Sequence, residues 1–186
     1  MTPKLILPSA AETTKALQVL CGLRLLKIHC AGLLRIIHFS AKAPNEFDYD
    51  GEVDWAVHVD CAWRLDQHTK ILTGSDDWFV TEDKTPPPED WDAEQGGSFQ
   101  EAVLRSVLAD PDTSGRTIRN RTESFIVEAV EADDWAACMI GMSDGFALRI
   151  FTDASARESW RIFKPGDLSS HFVIPPQSSS QTGRKV

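Results

Sequence analysis

Asp54, His58, Asp60 and Arg64 recur at even spacing in a segment whose odd positions, Val53, Trp55, Val57, Val59, Cys61 and Trp63, are apolar. On an extended strand, residues two apart share a face, so the four polar side chains would point one way and the apolar ones toward a core. A histidine between two carboxylates is the arrangement of a general base oriented by an acid, or of a metal site with oxygen and nitrogen ligands. Arg64 on the same face would hold an anionic group of a ligand. Read this way, the chain is a small hydrolase or a small-ligand or metal-binding protein. The same residue types also make the ordinary wet face of an antiparallel sheet, which needs no chemistry at all.

Other constellations are less complete. His29, Cys30, His38, His58 and Cys61 lack paired zinc spacing, and the three-residue step from His58 to Cys61 would place those side chains on opposite faces of a strand. No metal and no cofactor are expected. There is no nucleophile elbow, and none of the four cysteines lies in a recognisably basic turn. Gly96-Gly97-Ser98 opens a helix but lacks the lysine of a phosphate-cradling loop, and the preceding carboxylates would repel phosphate.

A second pattern is electrostatic. Eight carboxylates (Asp76, Asp77, Glu82, Asp83, Glu89, Asp90, Asp92, Glu94) lie in one stretch with a single lysine, Lys84, in a chain of net charge -9. Trp78 and Trp91 sit among them. A tryptophan ringed by acids can anchor a protein interface while the charge steers a basic partner toward it. It can also fold back and pin a loop to the core, a role favoured for Trp78. The set Asp76, Asp77, Trp78, Glu89, Asp90, Trp91 and Asp92 is therefore the candidate partner-binding surface. On this basis the preferred reading is a non-enzymatic module that engages a basic protein. Nucleic acid is not an expected partner, because the acidic balance repels phosphate and the basic run Arg116, Arg119, Arg121 is short.

These groups need a scaffold. A chain of 186 residues, 42% hydrophobic with six tryptophans and nine phenylalanines, can bury a sizeable single core. Its longest apolar region, 17–39, is broken by Arg24, Lys27 and Arg35, so no membrane span is expected. The N-terminal apolar run is too short for a secretory signal, and free thiols in a reducing cytoplasm account for the four cysteines most simply.

Two Ser-x-x-Glu sequences, Ser9 to Glu12 and Ser98 to Glu101, mark helix starts. The first helix is predicted to stop at Gly22 and the second before Asp110-Pro111, with Phe99, Val103, Leu104, Val107 and Leu108 on its apolar face. Strands are predicted at 23–30, 33–39, 53–63, 69–73, 124–131, 135–142, 145–151, 158–163 and 171–174, with turn signals at Ala31-Gly32 and Ser143-Asp144-Gly145. Residues 81–97 read as an acidic loop and 175–186 as a disordered polar tail. Leu34-Arg35-Ile36 is echoed by Leu148-Arg149-Ile150, and Trp63-Arg64 by Trp160-Arg161, which suggests duplicated halves 9–73 and 98–174. The fold expected is one α+β domain over 1–174, a predominantly antiparallel sheet of about eight to ten strands, in two layers, with two helices. Exposed strand edges leave a homodimer open.

Overall fold

Alternating apolar residues and short turns resolve, in the computed structural model, into eleven strands among the described residues, which are 7–42, 53–85, 87–153 and 157–175. The chain start through residue 6, Pro86 and the tail from residue 176 therefore lie outside the described residues. The strands are β1 (Arg24–Ala31), β2 (Leu34–Ser40), β3 (Trp55–Val59), β4 (Ala62–Gln67), β5 (Lys70–Gly74), β6 (Thr117–Arg119), β7 (Val127–Ala132), β8 (Cys138–Met142), β9 (Phe146–Phe151), β10 (Trp160–Phe163) and β11 (Phe172–Ile174). They form a six-stranded sheet in the order β11-β10-β3-β2-β1-β6 and a five-stranded sheet in the order β5-β4-β9-β8-β7. Every pairing is antiparallel. Helices α1 (Ala10–Leu17) and α2 (Phe99–Val107) complete an α+β architecture.

The turns follow their residues. The β8–β9 connection carries Asp144 at φ 59° and Gly145 at φ 73°. A side chain at Gly145 would begin 2.3 Å from the exposed His68 imidazole, which would have to swing aside, and the positive φ favours glycine there on conformational grounds.

One expectation is corrected by the strand order. The segment 53–63 is not one strand: β3 ends at Val59, the chain turns through Asp60 and Cys61, and β4 begins in the other sheet. Val57, Val59, Cys61, Trp63 and Leu65 are nevertheless all buried. The alternation survives the corner because the two sheets enclose one core, and a strand that changes sheets keeps its apolar side toward it. Inner residues of both sheets, among them Ile28, Ile37, Val57, Leu65, Ile140, Leu148, Ile150 and Trp160, belong to a single buried cluster.

The helices cap this core. Helix α1 starts in a complete capping box: Ser9 Oγ accepts from the Glu12 N–H, and the Glu12 carboxylate accepts from the Ser9 N–H at 2.9 Å. It lies along β7, where Thr14 Oγ1 accepts from Ala132 N–H at 3.1 Å and covers part of that sheet edge. In α2 only half of the expected box forms. Ser98 Oγ accepts from the Glu101 N–H, but the Glu101 carboxylate does not return to Ser98. The buried residues of α2 are Gln100, Glu101 and Leu104, with Leu108 just beyond its end, so the inward face starts with two polar side chains and Phe99, Val103 and Val107 are only partly buried.

Candidate functional site

The residues of the predicted catalytic face are placed, but not as a cluster. Asp54 Oδ2 accepts from Ser40 Oγ at 2.9 Å and from the Ala41 N–H at 2.7 Å, closing the end of β2. Asp60, at the sheet-to-sheet corner, pairs with Arg157 at 3.1 Å on the surface. His58 lies on the outer side of β3, edge-on to Phe163 with ring centroids 4.7 Å apart. Arg64 is in the other sheet, bound with Arg149 to the buried Asp66 carboxylate at 3.1 and 2.8 Å. Among the described residues no hydrogen bond or ion pair joins any two of Asp54, His58, Asp60 and Arg64.

The electrostatics of His58 point away from a base held by an acid. Burial, and then the charges of Arg161 and His171, push its pKa down to about 4. His38 is likewise lowered to about 4, first by burial and then by Lys27, His58 and His29. Both imidazoles are neutral at pH 7, and neither one has a carboxylate among the charges that shift it. Burial raises the Cys30 thiol to about 11, the Cys61 thiol to about 12 and the Cys138 thiol further, so these sulfurs remain protonated. No group of three or more His, Cys, Asp or Glu among the described residues can hold a metal ion, and no helix there is long and apolar enough to cross a membrane.

The acidic region is more organised. Ser75–Phe79 forms a 3-10 turn, held by the Asp77 carboxylate, which accepts from the Thr73 hydroxyl and the Gly74 N–H, each at 3.0 Å. That turn points Trp78 inward, 2% exposed, and Phe79 outward, 56% exposed. Trp78 is thus a core residue, the inward placement that a pinning role requires, and Asp77 is taken up as a cap. The Trp78 ring lies 4.4 Å from the guanidinium carbon of Arg35, itself fully buried on the inner face of β2. Arg35 donates to Gln100 Oε1 at 2.7 Å and to the carbonyls of Gly32 and Leu34, so its charge is met by dipoles and a π face, with the Glu101 carboxylate also acting on it.

The loop 81–97 is closed at its base, where the Glu82 N–H donates to the Gly97 carbonyl and the Phe99 N–H to the Val80 carbonyl. Ala93 is buried beneath it and Trp91 is half-buried, while Glu89, Asp90 and Asp92 are exposed. Between this loop and the β1–β2 turn lies an open groove of about 520 Å³, lined by Leu33, Trp78, Phe79, Pro87 and Trp91 and edged by Asp92 and Glu94. On the other side of Leu33 and Phe79 is a smaller concavity of about 180 Å³, edged by Asp60, Asp76 and Asp153 together with Arg157. Leu33, 55% exposed, and Phe79 therefore form an apolar ridge shared by two acid-rimmed hollows.

Sequence reasoning missed both ridge residues. Leu33 follows the turn glycine of a hairpin, and Phe79 follows the tryptophan that drew attention. It also missed Trp135, 75% exposed on the β7–β8 turn between Asp134 and Ala136. Its signal is the same acid-tryptophan pattern, since Asp133 and Asp134 precede it. No protein-family model matches the chain, and no curated protein or solved structure matches it either.

Proposed function

We propose that this chain is a non-catalytic binding module that holds a basic, apolar-bearing protein segment on the Leu33–Phe79 ridge and in the groove beside Trp91. The observation that carries this reading is the pairing of two exposed large apolar side chains with concavities on both flanks whose rims are mainly carboxylate. Aromatic and aliphatic groups in such hollows supply the desolvated centre of an interface, and surrounding charges select the sign of the partner. The acidic loop contributes through Trp91 and Asp92, and the 3-10 turn through Asp76 and Phe79. Trp78 acts from beneath, as the support that fixes Phe79.

The test is fluorescence anisotropy of the full chain with labelled peptides that alternate arginine with leucine or phenylalanine, set against acidic and neutral peptides of the same length. Basic-apolar peptides should bind selectively, and Phe79→Ala should weaken them at least about tenfold, as loss of an interface anchor does. Equal binding of all peptide classes, or no effect of Phe79→Ala, would sink the reading.

A further inference from the structure

Arg64 and Arg149 stand directly opposite each other on β4 and β9, on the outer face of the five-stranded sheet. Like charges in that relation repel. The buried Asp66 carboxylate, which both arginines reach, offsets one charge and leaves one in excess. We propose that the two arginines form a clamp for a phosphate monoester carried on an aromatic or alkyl group.

The way Asp66 is bound supports this assignment. It takes the Nε of each arginine, at 3.1 and 2.8 Å. Among the described residues, no hydrogen bond from a terminal Nη of Arg64 or Arg149 reaches a protein acceptor. The two side chains are 39 and 38% exposed, so a ligand can reach these four amino groups. Asp66 is only 6% exposed, so each Nε is tied to a buried point. A guanidinium pinned at Nε has lost much of its freedom before a ligand arrives, and its Nη pair is the planar fork that matches phosphate oxygens. Two forks on strands about 5 Å apart can share one tetrahedral group with three terminal oxygens. A carboxylate, with two oxygens in one plane, fills a single fork.

The neighbours define the rest of the ligand. Phe151, two residues after Arg149, is 39% exposed, and the Arg64 guanidinium carbon lies 5.5 Å from its ring centroid. Met139 stands opposite Arg149 on β8. A shallow concavity of about 250 Å³ is lined by Arg149, Met139 and Phe151 together, and an apolar ester group would lie in it. Carboxylates bound the site. Glu131 and Asp133 rim this concavity, and Asp60, Asp76 and Asp153 edge the hollow that includes Ala62. Asp133 is turned to the Trp135 and Ala137 N–H groups, at 2.8 and 3.0 Å. A chain of phosphates would have to pass these acids, so a single phosphoryl group fits and a nucleic-acid backbone does not. None of Arg64, Asp66, Arg149 or Met139 lines either hollow beside the Leu33–Phe79 ridge, so this site is independent of the function proposed above.

The experiment is titration of the full chain at neutral pH with phenyl phosphate, followed by amide and arginine Nε–H NMR shifts. Benzenesulfonamide serves as the neutral tetrahedral counterpart, beside benzoate and inorganic phosphate. Phenyl phosphate should saturate and move the signals of Arg64, Arg149 and Phe151, while the sulfonamide leaves them in place. Benzoate should bind more weakly for lack of a third oxygen, and inorganic phosphate for lack of a ring. Arg64→Gln and Arg149→Gln should each weaken phenyl phosphate at least about tenfold, the scale of one lost charge-assisted hydrogen bond. Arg149→Lys keeps the charge beside Asp66 but not the fork, and should weaken it as well. A pair that only balances Asp66 would not distinguish lysine from arginine. A phosphotyrosine peptide that binds more tightly than phenyl phosphate assigns the group to a partner chain, and one that binds more weakly assigns it to a free ester. Equal affinity for the sulfonamide, benzoate as tight as phenyl phosphate, unchanged affinity in the glutamine variants, or no saturation each overturn the assignment. The ligand comparison uses the wild-type chain and stands if a variant fails to fold.

Discussion

Trp78 and Phe79 are neighbours with opposite fates, and the difference is set by the 3-10 turn that Asp77 caps. Trp78→Ala should cost about 4 kcal/mol, because it empties a large buried volume and removes the π face under Arg35. Phe79→Ala should stay within about 0.5 kcal/mol of wild type in urea unfolding, because its ring is mostly in water. Arg35→Ala should cost about 3 kcal/mol, since the buried Gln100 oxygen and backbone carbonyls it serves lose their donor. If Phe79→Ala proved as destabilising as Trp78→Ala, the ridge would be part of the core rather than a contact surface. The sequence could not distinguish these two aromatics. Acid density marked the region, but the direction of each side chain depends on a turn too short to have a period.

At the scale of elements, legibility followed hydrophobic alternation. Most strands and both helices were readable because alternation and serine caps are local signals. The six-stranded sheet's short outer strand β6 was not, since Thr117–Arg119 is three residues long with flanking arginines that suggested a solvated turn. The expected four-residue face is divided for a related reason: alternation reports which side faces the core, not which sheet a strand belongs to. Arg64 therefore shared a pattern with His58 but not a surface. The outer side of β3 carries its own consequence. His58, facing Arg161 on β10, His171 beyond it and His38 on β2, is held neutral with a pKa of about 4 against 6.5 in an unfolded chain. The unfolded state therefore binds a proton that the folded state refuses once pH drops below 6.5. The contribution of His58 to stability is complete above that pH and declines as pH falls toward 4. Unfolding free energies measured from pH 7 to pH 5, above the main carboxylate range, should fall less steeply in His58→Gln than in wild type. Parallel slopes would mean that His58 titrates normally in the fold.

Across the whole molecule, the chain follows the same path twice. β1-β2-β3 run as a meander in the six-stranded sheet before β4-β5 cross to the other sheet; β7-β8-β9 run as a meander there before β10-β11 cross back. The Trp-Arg echo falls on β4 and β10, which occupy corresponding places in this path, with Trp63 and Trp160 both buried. The Leu-Arg-Ile echo falls on β2 and β9, which do not correspond: Arg35 is inside and Arg149 pairs with Asp66 on the outer side. The path thus repeats where only one of the two sequence echoes does. It also brings Asp76, Asp92 and Glu94 to the flanks of one apolar ridge, with Asp60 and Asp153, and this arrangement separates the two halves of a binding reaction. Long-range charge acts on encounter, whereas desolvated contact acts on escape. Asp76→Asn with Glu89→Gln, both exposed and neither one supplying a capping hydrogen bond, should slow association with the basic-apolar peptides and flatten its dependence on salt, with dissociation nearly unchanged. Phe79→Ala should do the reverse, raising the dissociation rate at every salt concentration. Stopped-flow traces at about 50 and 300 mM salt, on either side of the physiological screening length of about 8 Å, read both rates. If the charge variant changed only dissociation, the carboxylates would be contact groups within the interface, and the steering role given to the acidic loop would have to be abandoned.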